Sequence, residues 1–562
     1  MIYEKDLDIR GNGGRIVWKD EKEEFKHLER RHKMLRFRTL GLVVTLLTIL
    51  SIGGAVGWTG QEAPRYGGTF VYGAATEPDN LDPAVVFDTQ AMRIMRNVAE
   101  NLVNLGPDGE PQPGLAESWE ISADGLTWIF HLRHGVKFHD GTPFNAEAVV
   151  FNFDRQMNPD NPYHQYGPWV WWEWMYSSII KSVEAVDEYT VKIELKKPFT
   201  PLLAHLAISA SGTILSPTAI RKWKGEIGLH PVGTGPFKFK EWVRGDHITL
   251  EAFDDYWGGR PYVDRIVIRF IPDNTVRAGA LIKGEIDLMT DFSEPTYKTL
   301  IAEPSVTVIL APPLNISYLA MNTTKKPFDN ILVRLAIQHA INKEELVSSL
   351  YGELGEVANG PIPSPEWAWH PGLKAYEYNP ELAKALLAAA GYPDGFDTEL
   401  WIASAPRGYN PVGPLLAETV QSYLAAVGIN AKVVVMDYSA LTPRVMNGEH
   451  EMTFFGWYGD DLDPDEFIYT FCHSSNAIPP ANNLAFYKND QVDELLDLAQ
   501  RITDIDVRRE LYLRAQEIVN AGAAWVWLNG IKQPYAITAR VRNFRPNPVP
   551  WCLYLADIWL AE

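Results

Sequence analysis

Cysteine is nearly absent: Cys472 and Cys552 are the only two in 562 residues, which excludes a disulfide framework and leaves room for one bridge at most. Positive charge is also in deficit. With 51 Lys and Arg against 71 Asp and Glu, the formal net charge is −20, and the chain lacks the basic face that nucleic acid or anionic lipid would require. The same acidity keeps an exported protein soluble. No internal repeat or low-complexity tract occurs. Catalytic signatures are missing as well. Gly233-Thr234-Gly235 is followed by Pro236 without the later glycine and lysine of a nucleotide loop, no GxSxG elbow is found, and no nucleophile stands with a base. These absences point to a protein that is not an enzyme, with no catalytic residue, no cofactor and no nucleic-acid partner.

One long apolar run is present. Leu40 to Trp58 carries no charge over 19 residues and follows Arg30, Arg31, Lys33, Arg36 and Arg38, the positive-inside pattern for a segment whose C-terminal side is exported. It reads either as an uncleaved transmembrane helix with a cytoplasmic tail over 1–39, or as a signal peptide cut after Ala55-Val56-Gly57. The long tail favours the anchor, whereas Met34, which opens MLRFRTLGLVV, would begin a well-formed signal peptide. No cysteine follows the run, so a lipoprotein route is closed. Residues 59–67, with Pro64, make a short linker.

From Gly68 onward strands and helices interleave, and 46% hydrophobic with 22% charged residues suits a soluble body of two or three lobes. Trp119 and Ile121, then Trp128, Phe130 and Leu132, alternate with polar residues around Ala123-Asp124-Gly125, which predicts a β-hairpin buried on one face. Asn145 is placed to cap the helix that follows. Asn379 and Pro380 start another helix that Gly391 ends, and Pro414 to Val427 repeats the device before Gly428. A strand over Ile429 to Met436, a helix over Leu441 to Asn447 and a strand over Met452 to Trp457 then give an α/β rhythm. His131, His134 and His139 lie close in sequence, but on the hairpin and its exit, and no metal site is expected there. Asp461, Asp463 and Asp465 have the opening spacing of a calcium loop; Glu466 stands where its glycine and Cys472 where its glutamate should be, so the run reads as a solvated loop. Asp460 differs. It directly follows the apolar strand ending Phe455-Gly456-Trp457-Tyr458-Gly459, where a sheet delivers residues into a crevice.

The stretch GLAESWEISADGLTWIFHLRHGVKFHDGTPFNAEAVVFNFDR (114–155) closely resembles the signature of the extracytoplasmic peptide-binding proteins of ABC importers. PVGTGPFKFKEWVRGDHITLEAFDDYWGG (231–259), NPELAKALLAAAGYPDGF (379–396) and GWYGDDLDPDEF (456–467) resemble further motifs in the family's order. DRQMNPDNPYH (154–164) and APRGYNP (405–411) are most similar to the dipeptide binders. The resemblance implies an α/β, two-lobed periplasmic-binding-protein fold of type II with an extra N-terminal subdomain. Crossings between lobes fall near Ala311 to Ser317 and Lys532 to Ala536. Residues 68–312 form the first lobe, with about 100–189 as the subdomain; 313–533 form the second, and 534–562 return to the first.

It also implies roles. The aspartate of the W-x-x-D motif, here Asp460, holds a peptide's α-ammonium, and the arginine of APRGYNP, here Arg407, takes the C-terminal carboxylate, for which a guanidinium offers paired donors. Trp457, Tyr409, Tyr458 and Gly459 complete the wall, and main chain near Asn80 approaches from the opposite lobe. In dipeptide binders the cysteine matching Cys472 pairs with one whose place is taken here by Phe486, so Cys472 is expected free, with a bridge to Cys552 as the alternative. The expected partners are short peptides, probed as dipeptides first, and ABC permease and ATPase subunits. Nickel chelate, haem, glutathione or oligosaccharide as cargo, or a membrane-anchored peptide sensor, are the rival readings.

Export of everything beyond Trp58 is the first testable consequence. A reporter active only outside the cytoplasm, fused after Glu562, should be active. Activity restricted to a cytoplasmic reporter contradicts export, and N-terminal sequencing of the mature protein separates anchor from cleavage.

Overall fold

The computed structural model describes residues 63–106, 111–208, 210 and 212–561. The tail 1–39, the run 40–58 and the choice of Met34 as start lie outside them; no helix among the described residues is long and apolar enough to cross a membrane.

The local grammar resolves into the elements it predicts. Strands Ala116–Ile121 and Thr127–Leu132 pair antiparallel, with Trp119 opposite Phe130, and Gly125 turns between them at φ 70°. Trp128, Phe130 and Leu132 are buried. Asn145 accepts a hydrogen bond from the Ala148 amide at 3.1 Å and starts helix Ala146–Met157. Asn379 likewise caps Pro380–Ala389 through the Leu382 amide at 2.9 Å. Strands Phe396–Ala403 and Ile429–Met436 run parallel, joined by helix Pro414–Ala425.

Two mixed sheets organise these pieces. Strands Phe237–Val243, His247–Ala252, Arg265–Phe270, Thr69–Ala74, Leu288–Thr290, Gln533–Thr538 and Val306–Ala311 lie side by side in that order. Gly355–Val357, Trp525–Ile531, Asn315–Met321, Met452–Tyr458, Phe396–Ala403 and Ile429–Met436 make the second sheet. Each anchors one lobe of a periplasmic-binding-protein fold. The first lobe packs around Phe70, Tyr72, Ile268 and Tyr535. The second packs around Leu319, Met321, Phe454 and Val526 on one face of its sheet. A four-stranded antiparallel sheet, Ala116–Ile121, Thr127–Leu132, Thr190–Leu195 and Ile180–Asp187, forms the extra subdomain with helix Ala146–Met157 against it. Its Trp128, Phe130 and Trp172 belong to one apolar cluster with Tyr318, Phe471 and Trp525 of the second lobe.

The chain leaves the first sheet at Ala311 and enters the second at Asn315; it returns between Ile531 and Gln533. Buried Asn315 ties the crossings together, donating from Nδ2 to the Ile531 carbonyl at 2.7 Å and accepting from the Ile531 amide at 2.9 Å. Gly530 permits the approach: a Cβ there would lie 2.7 Å from the Pro313 side chain.

Subdomain and first lobe share a buried ion pair. Arg155, on helix Ala146–Met157, donates to both oxygens of Asp82 at 2.8 Å each. Removing one partner of such a pair strands the other charge away from water. Arg155→Met should therefore cost about 3 to 5 kcal/mol of stability, and adding Asp82→Asn should recover much of it. Urea denaturation of the three proteins reads this; an unchanged midpoint for Arg155→Met contradicts it.

Candidate ligand-binding site

The site begins with how tightly strand Met452–Tyr458 ends. A Cβ on Gly456 would fall 2.4 Å from both the Ile316 carbonyl oxygen and the Tyr409 ring, and one on Gly459 would fall 2.7 Å from Leu314. Only glycine lets the strand reach the cleft at this depth. Beyond it the backbone is gathered by a single carboxylate. Glu466 accepts from the Asp460 amide at 3.1 and 2.9 Å, from the Asp461 amide at 3.2 Å and from Trp457 Nε1 at 2.8 Å. It stands in the first turn of helix Asp465–Cys472, where the helix dipole favours negative charge. Burial pushes the Glu466 carboxyl up to about 7 despite these donors. Burial, then the neighbouring Glu466 charge, raises the Asp460 carboxyl well above the ordinary carboxylate range.

The expectation of a solvated loop for Asp461, Asp463 and Asp465 is wrong: the three are 0%, 5% and 5% exposed. Local spacing did not show their distant partners. Asp463 receives Arg508 Nη1 and Nη2 at 2.8 Å each, across 45 residues. Asp465 receives Gln500 Nε2 at 2.9 Å and the Tyr512 hydroxyl at 3.2 Å, and burial lifts its carboxyl to about 7. Asp461 accepts from the Asp463 amide at 2.7 Å and stands 3.7 Å from His205, on helix Leu202–Ala207 just beyond the subdomain's last strand.

Asp460 itself is half-buried in the wall of a cavity of about 350 Å³ between the lobes. Tyr458 and Gly459 line it from the second lobe, Gln533 from the crossing, and Ala75, Thr76, Phe87 to Gln90, Arg93 and Asp291 from the first. Arg93 and Asp291, 198 residues apart, escaped the sequence reading. Arg93 donates to both Asp291 oxygens, to Thr290 Oγ1 at 3.1 Å and to the Pro550 carbonyl at 2.7 Å. Burial pushes the Asp291 carboxyl up, but the adjoining guanidinium outweighs it and holds the group below its usual range. Asp291 also sits at φ 56°, a left-handed conformation of the kind that collects at ligand clamps.

The other expected residues are placed as follows. Trp457 does not line this cavity; its ring lies 5.6 Å from subdomain Trp174, which with Phe87 forms an aromatic rim. Tyr409 is buried against Phe455 with a ring spacing of 6.4 Å, and burial raises its hydroxyl. Arg407 also stays outside the cavity. Its guanidinium rests on the Tyr438 ring at 4.0 Å, and its backbone pairs with Asn410 at 2.9 and 2.8 Å. Asn80 caps its own turn, accepting from the Asp82 amide at 2.7 Å, and the first lobe reaches the cavity through Ala75 and Thr76 instead. His131 faces Glu120, His134 stacks on Tyr189 and His139 bonds the Gly235 carbonyl, so the three do not converge. Both cysteines are free, and burial raises the Cys472 thiol.

A cleft between two lobes, with the half-buried carboxyl group of Asp460 in its wall, has the form of a ligand-binding site. Comparison with known proteins agrees. Residues 110–478 match the model of the bacterial extracellular solute-binding proteins, family 5 Middle. The chain is 37% identical over 495 residues to heme-binding protein A of Haemophilus influenzae, covering 85% of this chain and 90% of that one. It is 34% identical over 470 residues to the dipeptide-binding protein of Escherichia coli, covering 80% and 87%. The ABC transporter-associated periplasmic binding protein DppA from Helicobacter pylori, solved in complex with the peptide STSA, superposes with a TM-score of 0.73 at 37% identity, covering 89% of this chain and 99% of that one. The chain belongs to family 5 of the bacterial extracellular solute-binding proteins, the substrate-binding components of ABC importers.

Proposed function

We propose that the cargo is a short peptide, in the first instance a dipeptide, held by its charged ends and handed to a membrane permease. Asp460 carries this reading. Its amide is fixed by Glu466, it lines a small cavity, and among the described residues no cation is bonded to it. A peptide ammonium supplies the missing charge. The cavity, about 350 Å³, lies at the small end of the range of ligand sites, which suits a dipeptide. The likeness to the dipeptide-binding protein and to the peptide-bound DppA supports the same class. Arg407 is the proposed partner of the carboxylate. To reach the ligand its guanidinium must leave the Tyr438 ring, exchanging a cation–π contact for a bidentate pair. Closing the lobes about the paired crossings would bury both ends and shape the surface that a permease meets. The segment 40–58 is read as what delivers this body to the outer face of the cytoplasmic membrane.

End-capped ligands separate the two anchors. Asp460→Ala should weaken a free dipeptide by about 3 to 5 kcal/mol, roughly two to four decades, and N-acetylation should cost the unaltered protein as much. Arg407→Ala should penalise the free acid and leave the C-terminal amide nearly unaffected. Calorimetry with free, acetylated and amidated dialanine provides the numbers. Equal affinity for free and acetylated peptide removes Asp460 from this role, and an undiminished preference for the free acid in Arg407→Ala removes Arg407.

A further inference from the structure

Behind the cavity that holds Asp460 lies a second one, of about 510 Å³. It runs under the crossing, between Phe292 to Pro295 of the first lobe and Tyr351, Pro411 and Val412 of the second. Asp291, Tyr458 and Gln533 line both cavities, so these three side chains are the wall between them. Two of the three are tethered. Asp291 is bound by Arg93, by Thr290 Oγ1 at 2.6 Å and by Gln533 Nε2 at 2.7 Å, which fixes Gln533 as well. Tyr458 is held differently. Its backbone is fixed opposite Asn315 at the end of the strand, yet its hydroxyl has no hydrogen-bond partner among the described residues. Its ring leans on Gly408, where a Cβ would come within 2.2 Å of Cε2, so the ring's position depends on the bare backbone there.

We infer that Tyr458 sets the length of the ligand, its ring closing the Asp460 cavity against the larger one behind. The inference rests on the peptide reading of the same cleft. A peptide anchored by its ammonium at Asp460 advances about 3.3 to 3.6 Å with each added residue. With the ring in place, a longer chain meets the wall. Without it the chain continues into the rear cavity, whose Pro411, Val412 and Phe292 offer apolar surface to further side chains.

The test is competition binding of di-, tri- and tetra-alanine to the full chain and to Tyr458→Ala, Tyr458→Val and Tyr458→Phe. Valine suits a strand end and serves if the alanine variant does not fold. The unaltered protein should prefer dialanine over tetra-alanine by about tenfold or more. Tyr458→Ala and Tyr458→Val should narrow that ratio about threefold or more by strengthening the longer peptide, and Tyr458→Phe should keep the original ratio because its ring fills the same gap. Small-residue variants that bind both peptides with the original ratio overturn the inference, as does an unaltered protein that binds the longer peptide as tightly as the shorter. Failure of the peptide reading looks different. The folded, unaltered protein would then bind no member of the series, and the inference would fall with it.

Discussion

The segment from Asp460 to Glu466 buries more negative charge than its surroundings neutralise, and much of the cleft is organised around making that tolerable. Desolvated carboxylates need donors, a cation or a proton. Asp463 has the only full countercharge, Arg508. Glu466 relies on an indole and two amides at a helix start, and Asp465 on an amide and a phenol. Glu366 goes further: it is 3% exposed with neither oxygen bonded, and its carboxyl is raised well above the usual carboxylate range by burial and then by Asp461, Glu466 and Asp463. The packing that results leaves Asp460 as the one member of the run that lines the cavity between the lobes.

This arrangement couples the site to the rest of the molecule. Glu466 fixes Trp457 through its indole nitrogen, and Trp457 meets Trp174 from the subdomain. Asp461 faces His205, which follows the subdomain's last strand, and the Thr200 amide donates at 2.8 Å to the carbonyl of Gln500, the residue whose side chain holds Asp465. The cavity wall thus draws on both lobes. Arg93 and Asp291, whose charges satisfy each other, contribute a rigid opposite face without adding net charge.

Legibility in the sequence followed the range of the interactions. The hairpin around Gly125, the caps at Asn145 and Asn379, and the strand ending at Tyr458 are encoded within a few residues, and they stand where the pattern put them. Asp460 was legible because strand periodicity and a family motif coincide there. The burial of Asp461, Asp463 and Asp465 was not, because a run of carboxylates reads as solvated until Arg508 and Tyr512 on helix Ile505–Gly522, and Gln500 at the end of helix Asp490–Ala499, are brought to it. The same limit hid Arg93 with Asp291. Arg407 shows the converse: its motif was readable, but its resting place on Tyr438 depends on a ring delivered by the next strand–helix connection.

If Asp460 takes the ligand's ammonium, that ammonium and a proton compete for the same raised carboxyl group. With the Asp460 carboxyl raised and Glu466 near 7, an entering ammonium lowers the carboxylate's affinity for that proton and expels it. Binding should therefore release protons, and affinity should rise with pH through the neutral range until the empty site is already ionised. Calorimetric titration of dialanine at pH 6 in two buffers of different ionisation enthalpy counts them. The account predicts proton release at pH 6 that falls as the pH rises and is abolished in Asp460→Asn. Tight binding at pH 6 with no proton exchanged, or with protons taken up, would contradict it.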